Sequence, residues 1–267
     1  MTELWGVDVS SWQQPEAIPE GVDFVIARAS HGAAIDRRAT EHVQRGRSLG
    51  ARVGLYHFFT PDAPSTTQAD AFNRVADRCG LCAGDIIPFV DVEAVPVGSG
   101  WLQACAQWQP KLRAVTQRMA ATWGSCGLYL NLGDFALLGS PEWLRELPLW
   151  LAAWCGAGRE PVTPLGVPWS LHQYRVGPYE RGGGSGSLAD VHSRSAIDHD
   201  RAHNLPLIAA ANTQVGALTG RPNLVNLYEG SIEDLRAERD ATVIDYGAPE
   251  YPPSCRLAAM LQRGAHA

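Results

Sequence analysis

Short apolar runs recur along most of the chain, and helix-like segments separate several of them. Strands that alternate with helices are typical of βα units, because parallel neighbours in one sheet need a crossover connection between them. The pattern predicts strands at residues 4–9, 23–28, 52–59, 86–93, 126–130, 149–154, 170–174 and 196–198. It predicts helices at 39–49, 66–78 and 101–123, with the last one broken or restarted at Pro110.

The order of these elements predicts an α/β barrel that begins as βα repeats and finishes with bare strands. Helical segments disappear after the sixth strand, and a glycine-rich stretch at 181–187 indicates a hairpin loop or flexible tip. The 267 residues suffice for one large domain with a small appendage. In a βα barrel the functional groups lie at the C-terminal ends of the strands, where the loops are free to vary.

Two acids close the predicted fourth strand, in the sequence Pro88-Phe89-Val90-Asp91-Val92-Glu93. Because side chains alternate along a strand, Asp91 and Glu93 are expected on one face, with Cα atoms roughly 6–7 Å apart. Crowded carboxylates raise the pKa of at least one of them, so one acid stays protonated beside an ionised partner. Taken alone, the pair is equally consistent with surface acids or helix caps.

Further acids and aromatic residues fall at the ends of other predicted strands. Asp8 ends the first strand and Asp198 lies in the last, so both are expected at the barrel mouth with Asp91. The other polar and aromatic candidates near strand ends are Tyr56, His57, Tyr129, Trp154, Gln173 and Tyr174. Sugars stack on such rings in concave sites, although for any single ring core packing is the more frequent explanation. The set predicts a carbohydrate site.

Several segments together resemble the family 25 glycoside hydrolases, the CH-type muramidases of phage lysins and bacterial autolysins. They are DVSSWQ at 8–13, YHF at 56–58, DVE at 91–93, LY at 128–129, WLA at 150–152, QY at 173–174 and ID at 197–198. The order is that of the family across about residues 3–204. The resemblance implies a flattened TIM-like barrel with about eight strands and five helices, written (β/α)5β3.

The resemblance also implies an activity and residue roles. The reaction would be hydrolysis of the β-1,4 bond between N-acetylmuramic acid and N-acetylglucosamine in bacterial peptidoglycan. Glu93 matches the general acid, and Asp91 matches the acid that stabilises positive charge or positions the acetamido group. Asp8 and Asp198 match the remaining acids. Tyr56, Tyr129 and Gln173 fall where the family contacts sugar, and no metal or organic cofactor is implied.

The chain differs from the family at two places. His172 precedes Gln173 where the family usually has Trp, so we expect an imidazole to replace a stacking ring there. His199 and Asp200 follow Asp198 where the family often has Leu-Asn. Both differences are expected to affect the subsites for sugar or peptide, and not the acid pair.

Charge and composition exclude several other functions. The formal net charge of -6 argues against nucleic-acid binding, which needs a basic face. No apolar run is long enough to span a bilayer, and the N-terminus lacks the features of a signal peptide. We therefore expect synthesis in the cytoplasm and action on the cell wall after release at phage lysis or carriage in a virion. The single CxxC, Cys79 and Cys82, does not predict a zinc site.

The predicted domains are a catalytic barrel at 1–204 and a C-terminal extension of unknown role at 205–267. A segment that covers part of the barrel or mediates a subunit contact is favoured over an independent binding domain. The sequence leaves the oligomeric state open. The alternative function is a catalytically inactive protein on the same barrel that binds wall sugars or serves in virion assembly. A chitinase-like enzyme would instead carry a DxxDxDxE strand, which this sequence lacks.

Overall fold

The structure, a computed structural model, describes residues 3–93, 101–184 and 196–210, and within these ranges it contains nine strands and four α-helices. The strands are β1 (Leu4–Val9), β2 (Phe24–His31), β3 (Ala34–Ile35), β4 (Arg52–Phe58), β5 (Phe89–Asp91), β6 (Gly127–Asn131), β7 (Leu149–Ala152), β8 (Trp169–Gly177) and β9 (Ile197–Ala202). The helices are α1 (Ala39–Ser48), α2 (Ser65–Cys79), α3 (Trp101–Trp123) and α4 (Leu132–Leu137).

Eight of the strands form a closed barrel. The strand order is β1-β9-β8-β7-β6-β5-β4-β2-β3, and a further pairing of β1 with β2 closes the sheet. Neighbouring strands are parallel around the barrel except at β9, which is antiparallel to both β1 and β8. The short β3 extends β2 as an antiparallel hairpin at its C-terminal end. The predicted TIM-like α/β barrel is confirmed.

Several strands differ in length from the prediction, and β5 and β9 are two of them. Strand β5 contains only Phe89–Asp91, because Pro88 lacks an N–H and the chain leaves the ladder after Asp91. Strand β9 continues to Ala202, well past the predicted end at 198. Two neighbours, β1 and β8, supply its backbone hydrogen bonds, so its polar sequence does not prevent an extended strand.

The helices also correct the sequence analysis in two places. The predicted break at Pro110 is wrong, because α3 continues from Trp101 to Trp123 with the proline inside it. Leu112, Val115 and Met119 form a fully buried stripe on this helix, and their packing offsets the hydrogen bond that the proline removes. The sequence analysis missed α4, a short helix whose N-terminus is capped by the Asn131 side chain.

Glycines inside the barrel make room for large side chains on the next strand. Gly6 pairs with Phe24, and Gly127 pairs with Phe89. A Cβ atom built on either glycine would lie within 2.6 Å of the neighbouring phenyl ring. Because each ring occupies the space of the missing side chain, each glycine–phenylalanine pair fills the barrel interior at its own level.

A buried polar chain fixes the connection between β4 and α2. The His57 imidazole contacts the Ser30 hydroxyl at 2.8 Å and the Gln68 side-chain oxygen at 2.9 Å. The same Gln68 oxygen accepts a hydrogen bond from the Thr60 backbone N–H. Burial lowers the pKa of His57 to about 4, so the ring is neutral at physiological pH. This arrangement holds the end of β4, which carries Tyr56, in a fixed position.

The first residues of the predicted extension pack against the barrel. Leu205 and Ile208 are buried, and the Ile208 N–H donates to the carbonyl of Asp85 while the Ile87 N–H donates to that of Pro206. The rest of the extension, from 211, and residues 185–187 of the predicted hairpin loop lie outside the described residues. The division at 204 stays a prediction. No helix in the described part of the chain is long and apolar enough to cross a membrane.

Replacing Gly127 by alanine tests the packing of the barrel interior. The new methyl group would meet the Phe89 ring at 2.2 Å, so we expect Gly127→Ala to reduce the free energy of unfolding by about 1–3 kcal/mol. The matched control is Gly158→Ala, because nothing lies within 4 Å of the added Cβ there. Urea unfolding followed by circular dichroism measures both. Equal stabilities of the two variants would contradict the packing described here.

Candidate active site

Three strands bring carboxylates to one mouth of the barrel. Asp8 lies at the end of β1 and Asp91 at the end of β5, while Asp198 lies at the start of the antiparallel β9. Asp8 and Asp198 are directly opposite each other in the β1–β9 ladder. The prediction that strands from opposite ends of the sequence deliver these acids to one place is confirmed by the topology.

Glu93 belongs to this cluster, but it does not lie on strand β5 as predicted. Strand β5 ends at Asp91, so strand alternation does not extend to Glu93. The charge of Glu93 nevertheless raises the pKa of Asp91 more than any other charge does, and it also raises the pKa of Asp8 and Asp198. Glu93 therefore faces the same acidic group from the segment that follows β5.

Burial is the main cause of the electrostatics of the site. Loss of solvent raises the pKa of Asp8 to about 7 and the pKa of Asp91 and Asp198 well above the usual range. The mutual repulsion of the carboxylates adds to this shift. The Arg28 guanidinium opposes it at Asp91, although by less. The site thus holds several carboxyl groups that keep their protons near neutral pH.

Gln173 connects three of the predicted site residues through its amide. Its oxygen accepts hydrogen bonds from the Tyr129 hydroxyl and the Trp154 Nε1–H, both at 3.0 Å. Its nitrogen donates to Oδ2 of Asp8 at 2.9 Å. Two donors fix the amide orientation, so Gln173 can only donate toward Asp8. Trp154 reaches this position from beyond β7, which ends at Ala152.

The Trp150 indole is the apolar floor beneath the acids. It packs edge-on against Tyr129, Phe89 and Tyr56, with ring centroids 4.8, 5.6 and 5.9 Å away. Tyr56 is almost fully buried by this contact, and burial raises the pKa of its hydroxyl well above the usual value. The predicted site residues Tyr56 and Tyr129 are therefore part of the wall between the core and the cleft.

His172 does not replace a sugar-stacking ring, so that prediction is wrong. The side chain is fully buried on the outer face of the barrel, opposite to that of Gln173. Its Nε2 contacts the Ala153 carbonyl at 2.8 Å, and its Nδ1 accepts a hydrogen bond from Arg201 at 2.9 Å. Adjacent residues of a strand point to opposite faces, so the imidazole packs away from the cleft.

Sequence reasoning missed two ionisable residues of the site. Asp200 follows Asp198 at the next inward-facing position of β9 and is fully buried. Period-two alternation along β9 was the signal for it. Arg28 lies on β2, where Asp36 and the Ser11 hydroxyl hold its guanidinium at 3.0 and 2.8 Å. Its charge acts on both Tyr56 and Asp91, which places it at the rim of the acidic cluster.

The arrangement combines proton donors with aromatic walls. Carboxyl groups that stay protonated near neutral pH can donate a proton to a leaving oxygen, and ionised neighbours can stabilise a positive charge. Among the residues that the structure describes, no cluster of three or more His, Cys, Asp or Glu side chains could hold a metal ion. These protein groups are suited to the acid-catalysed cleavage of an acetal bond.

Comparison with known proteins agrees with this chemistry. The model of the glycosyl hydrolases family 25 matches residues 7–182. The chain belongs to this family. It is a glycoside hydrolase, and the family match ends at residue 182, before strand β9. A search of curated protein sequences found no match.

Several solved structures share the fold, among them that of a family 25 lysozyme. A family 25 lysozyme from Aspergillus fumigatus has a TM-score of 0.59 at 18% identity, covering 81% of this chain and 99% of that one. The spore cortex lytic enzyme SleM from Clostridium perfringens has a TM-score of 0.57 at 22% identity, with coverage of 75% and 67%. The catalytic domain of endolysin ply40 from Listeria monocytogenes bacteriophage P40 has a TM-score of 0.50 at 21% identity, with coverage of 74% and 92%.

Removing one carboxylate tests the electrostatic crowding in this family 25 site. The pKa of Asp91 is raised in the fold, so its ionisation penalises the native state increasingly as pH rises above the unfolded value of about 4. Asp91→Asn removes that penalty. We expect the variant to gain stability over wild type as pH rises from 4 to 8, by about 2 kcal/mol at pH 8.

Thermal unfolding at several pH values measures the difference, and Asp70→Asn on the exposed face of α2 is the matched control. Each kcal/mol corresponds to roughly 2–4 °C in a protein of this size. A constant difference across the pH range would contradict the assignment of a raised pKa to Asp91.

Proposed function

We propose that this family 25 hydrolase cleaves bacterial peptidoglycan at the β-1,4 bond between N-acetylmuramic acid and N-acetylglucosamine. The observation that carries the proposal is the cluster of Asp8, Asp91, Glu93 and Asp198 at one barrel mouth, above a floor of aromatic rings. The lysozyme, spore cortex lytic enzyme and endolysin that share the fold support a wall polymer as the substrate.

Glu93 acts as the general acid in this proposal. Its proton passes to the glycosidic oxygen while the bond from that oxygen to the anomeric carbon breaks. The acetamido oxygen of the substrate, or a water molecule, attacks the anomeric carbon, and water finally supplies the new hydroxyl and returns a proton to Glu93. Asp8, as an anion, balances the positive charge that develops on the sugar ring, and protonated Asp91 positions the acetamido group.

The sugar is oriented by four side chains, those of Tyr56, Tyr129, Trp154 and Gln173. The polar ends of Tyr129 and Trp154 already bond to Gln173, which leaves their ring surfaces as the groups available for sugar C–H faces. Asp198 opposes Asp8 across the β1–β9 ladder and completes the polar edge of the subsite. Because the cleft is acidic, recognition depends on stacking and hydrogen bonds more than on attraction of charge.

The biological role that we propose is that of a phage lysin, which reaches the wall when the host lyses or as part of a virion. The shared fold of the phage P40 endolysin supports this role. A lysin needs no partner beyond peptidoglycan for the chemistry. The extension at 205–267 is then free to cover the barrel or to contact another subunit.

Digestion of purified peptidoglycan tests the bond and the acid together. Wild type and Glu93→Gln are incubated with the polymer, and the soluble products are reduced and analysed by mass spectrometry. We expect fragments that end in reduced N-acetylmuramic acid with wild type, and a loss of at least about 10³-fold in rate for the variant, which cannot donate a proton.

Circular dichroism first establishes that Glu93→Gln folds as wild type does. Fragments ending in reduced N-acetylglucosamine would contradict the assigned bond, and a variant with most of the wild-type rate would contradict the role of Glu93. Products from no wall type would instead favour a binding or assembly role. The lytic role is tested by adding the same two proteins to chloroform-treated bacteria and measuring turbidity. We expect only wild type to clear the suspension.

A further inference from the structure

Asp200 lies below the acids of the cleft and is fully buried. On one side it pairs with Gly6 of β1, and on the other with Gln173 of β8. Gly6 has no side chain, and Asp8 is the next residue of β1 that points to the same face. The Asp200 carboxyl therefore reaches the space between Trp150 and Asp8.

The two oxygens of Asp200 have different surroundings. Oδ1 accepts a hydrogen bond from the Trp150 Nε1–H at 2.8 Å. Oδ2 is buried, and no donor among the described residues reaches it when the group is ionised. A buried carboxylate oxygen without a donor is costly, whereas a protonated oxygen becomes a donor itself. On the neighbouring strand β1, the next side chain on this face is Asp8, whose carboxylate can accept a hydrogen bond.

The charges around this pair favour one position for the proton. Three titratable groups interact electrostatically with Asp200. They are Asp8 on β1, Asp198 on β9, which is the strand of Asp200 itself, and Tyr174 on β8. Burial is the main reason that the pKa of Asp200 lies well above the usual value. The negative charge of Asp8 raises the pKa of Asp200 further, so an ionised Asp8 favours the protonated form of Asp200.

We propose that Asp200 is a positioning residue that remains a carboxylic acid and donates its proton in a hydrogen bond to the Asp8 carboxylate. Trp150 fixes the acceptor oxygen of this acid from below, and Gln173 supplies the second donor to Asp8 at 2.9 Å. Two donors allow Asp8 to ionise in a site where its neighbours remain protonated.

The consequence for the reaction rests on the proposed function. Asp8 stabilises positive charge on the sugar only while it is an anion. The pH at which Asp8 ionises therefore sets the acid limb of the pH profile of kcat/KM. Asp200 controls that ionisation without touching the substrate. It resembles other buried carboxylic acids that stay protonated in order to donate a hydrogen bond.

Two substitutions of Asp200 separate this role from a structural one. Asp200→Asn retains an N–H donor toward Asp8 and an oxygen for Trp150, so we expect kcat within about fivefold of wild type and an unchanged acid limb of kcat/KM. Asp200→Leu has no donor. We expect kcat to fall about 10²-fold with KM within about twofold, and the acid limb to move up by about one pH unit.

The pH at which Asp8 ionises is also measured directly, by ¹³C NMR of labelled carboxyl carbons, in wild type and both variants. A midpoint for Asp8 that is higher in Asp200→Leu and unchanged in Asp200→Asn supports the proposal, even if no peptidoglycan is digested. Identical midpoints in all three proteins, or equal losses of activity in both variants, would overturn it. If Asp200→Leu does not fold, wild type and Asp200→Asn decide, because a midpoint shifted upward in Asp200→Asn contradicts the hydrogen bond.

Discussion

The Trp150 indole spans the barrel interior and makes contacts of two kinds. Its ring packs against Tyr56, Phe89 and Tyr129, and its single N–H donates to buried Asp200. Below it the interior is filled by apolar side chains and glycines, and above it lie the acids. Because the floor excludes water from one side of the carboxyl groups, burial becomes the main cause of their raised pKa values. The acid chemistry of the site thus depends on the packing of an aromatic core.

This arrangement costs stability. Asp8, Asp91, Asp198 and Asp200 come from three strands of a closed barrel, so the sheet fixes their backbone positions close to one another. Proton retention and the hydrogen bonds from Gln173 and Trp150 reduce the repulsion. Catalytic sites commonly carry such locally unfavourable groups, which the surrounding packing must offset. In this barrel the paired glycines and phenylalanines supply that packing.

The sequence allowed the barrel and most of the acids to be predicted, because both follow from local periodicity. Strands with apolar runs were found within a few residues, and acids at strand ends meet automatically in a barrel. Other features depend on tertiary contacts. The helix α3 continues through Pro110 because its buried stripe packs on the barrel, and β9 extends through charged residues because it has two neighbours. Asp200 was noted only as a difference from the family and not as a site residue. Alternation along β9 nevertheless places it on the same face as Asp198.

A crystal structure of the Glu93→Gln variant with a bound peptidoglycan tetrasaccharide tests the central claim most directly, since it locates the substrate relative to the buried acids. We expect the residue 93 amide within hydrogen-bond distance of the glycosidic oxygen, with the muramic acid ring over the aromatic wall and near Asp91. A tetrasaccharide bound away from this mouth, or bound here with its glycosidic oxygen beyond reach of residue 93, would contradict the account.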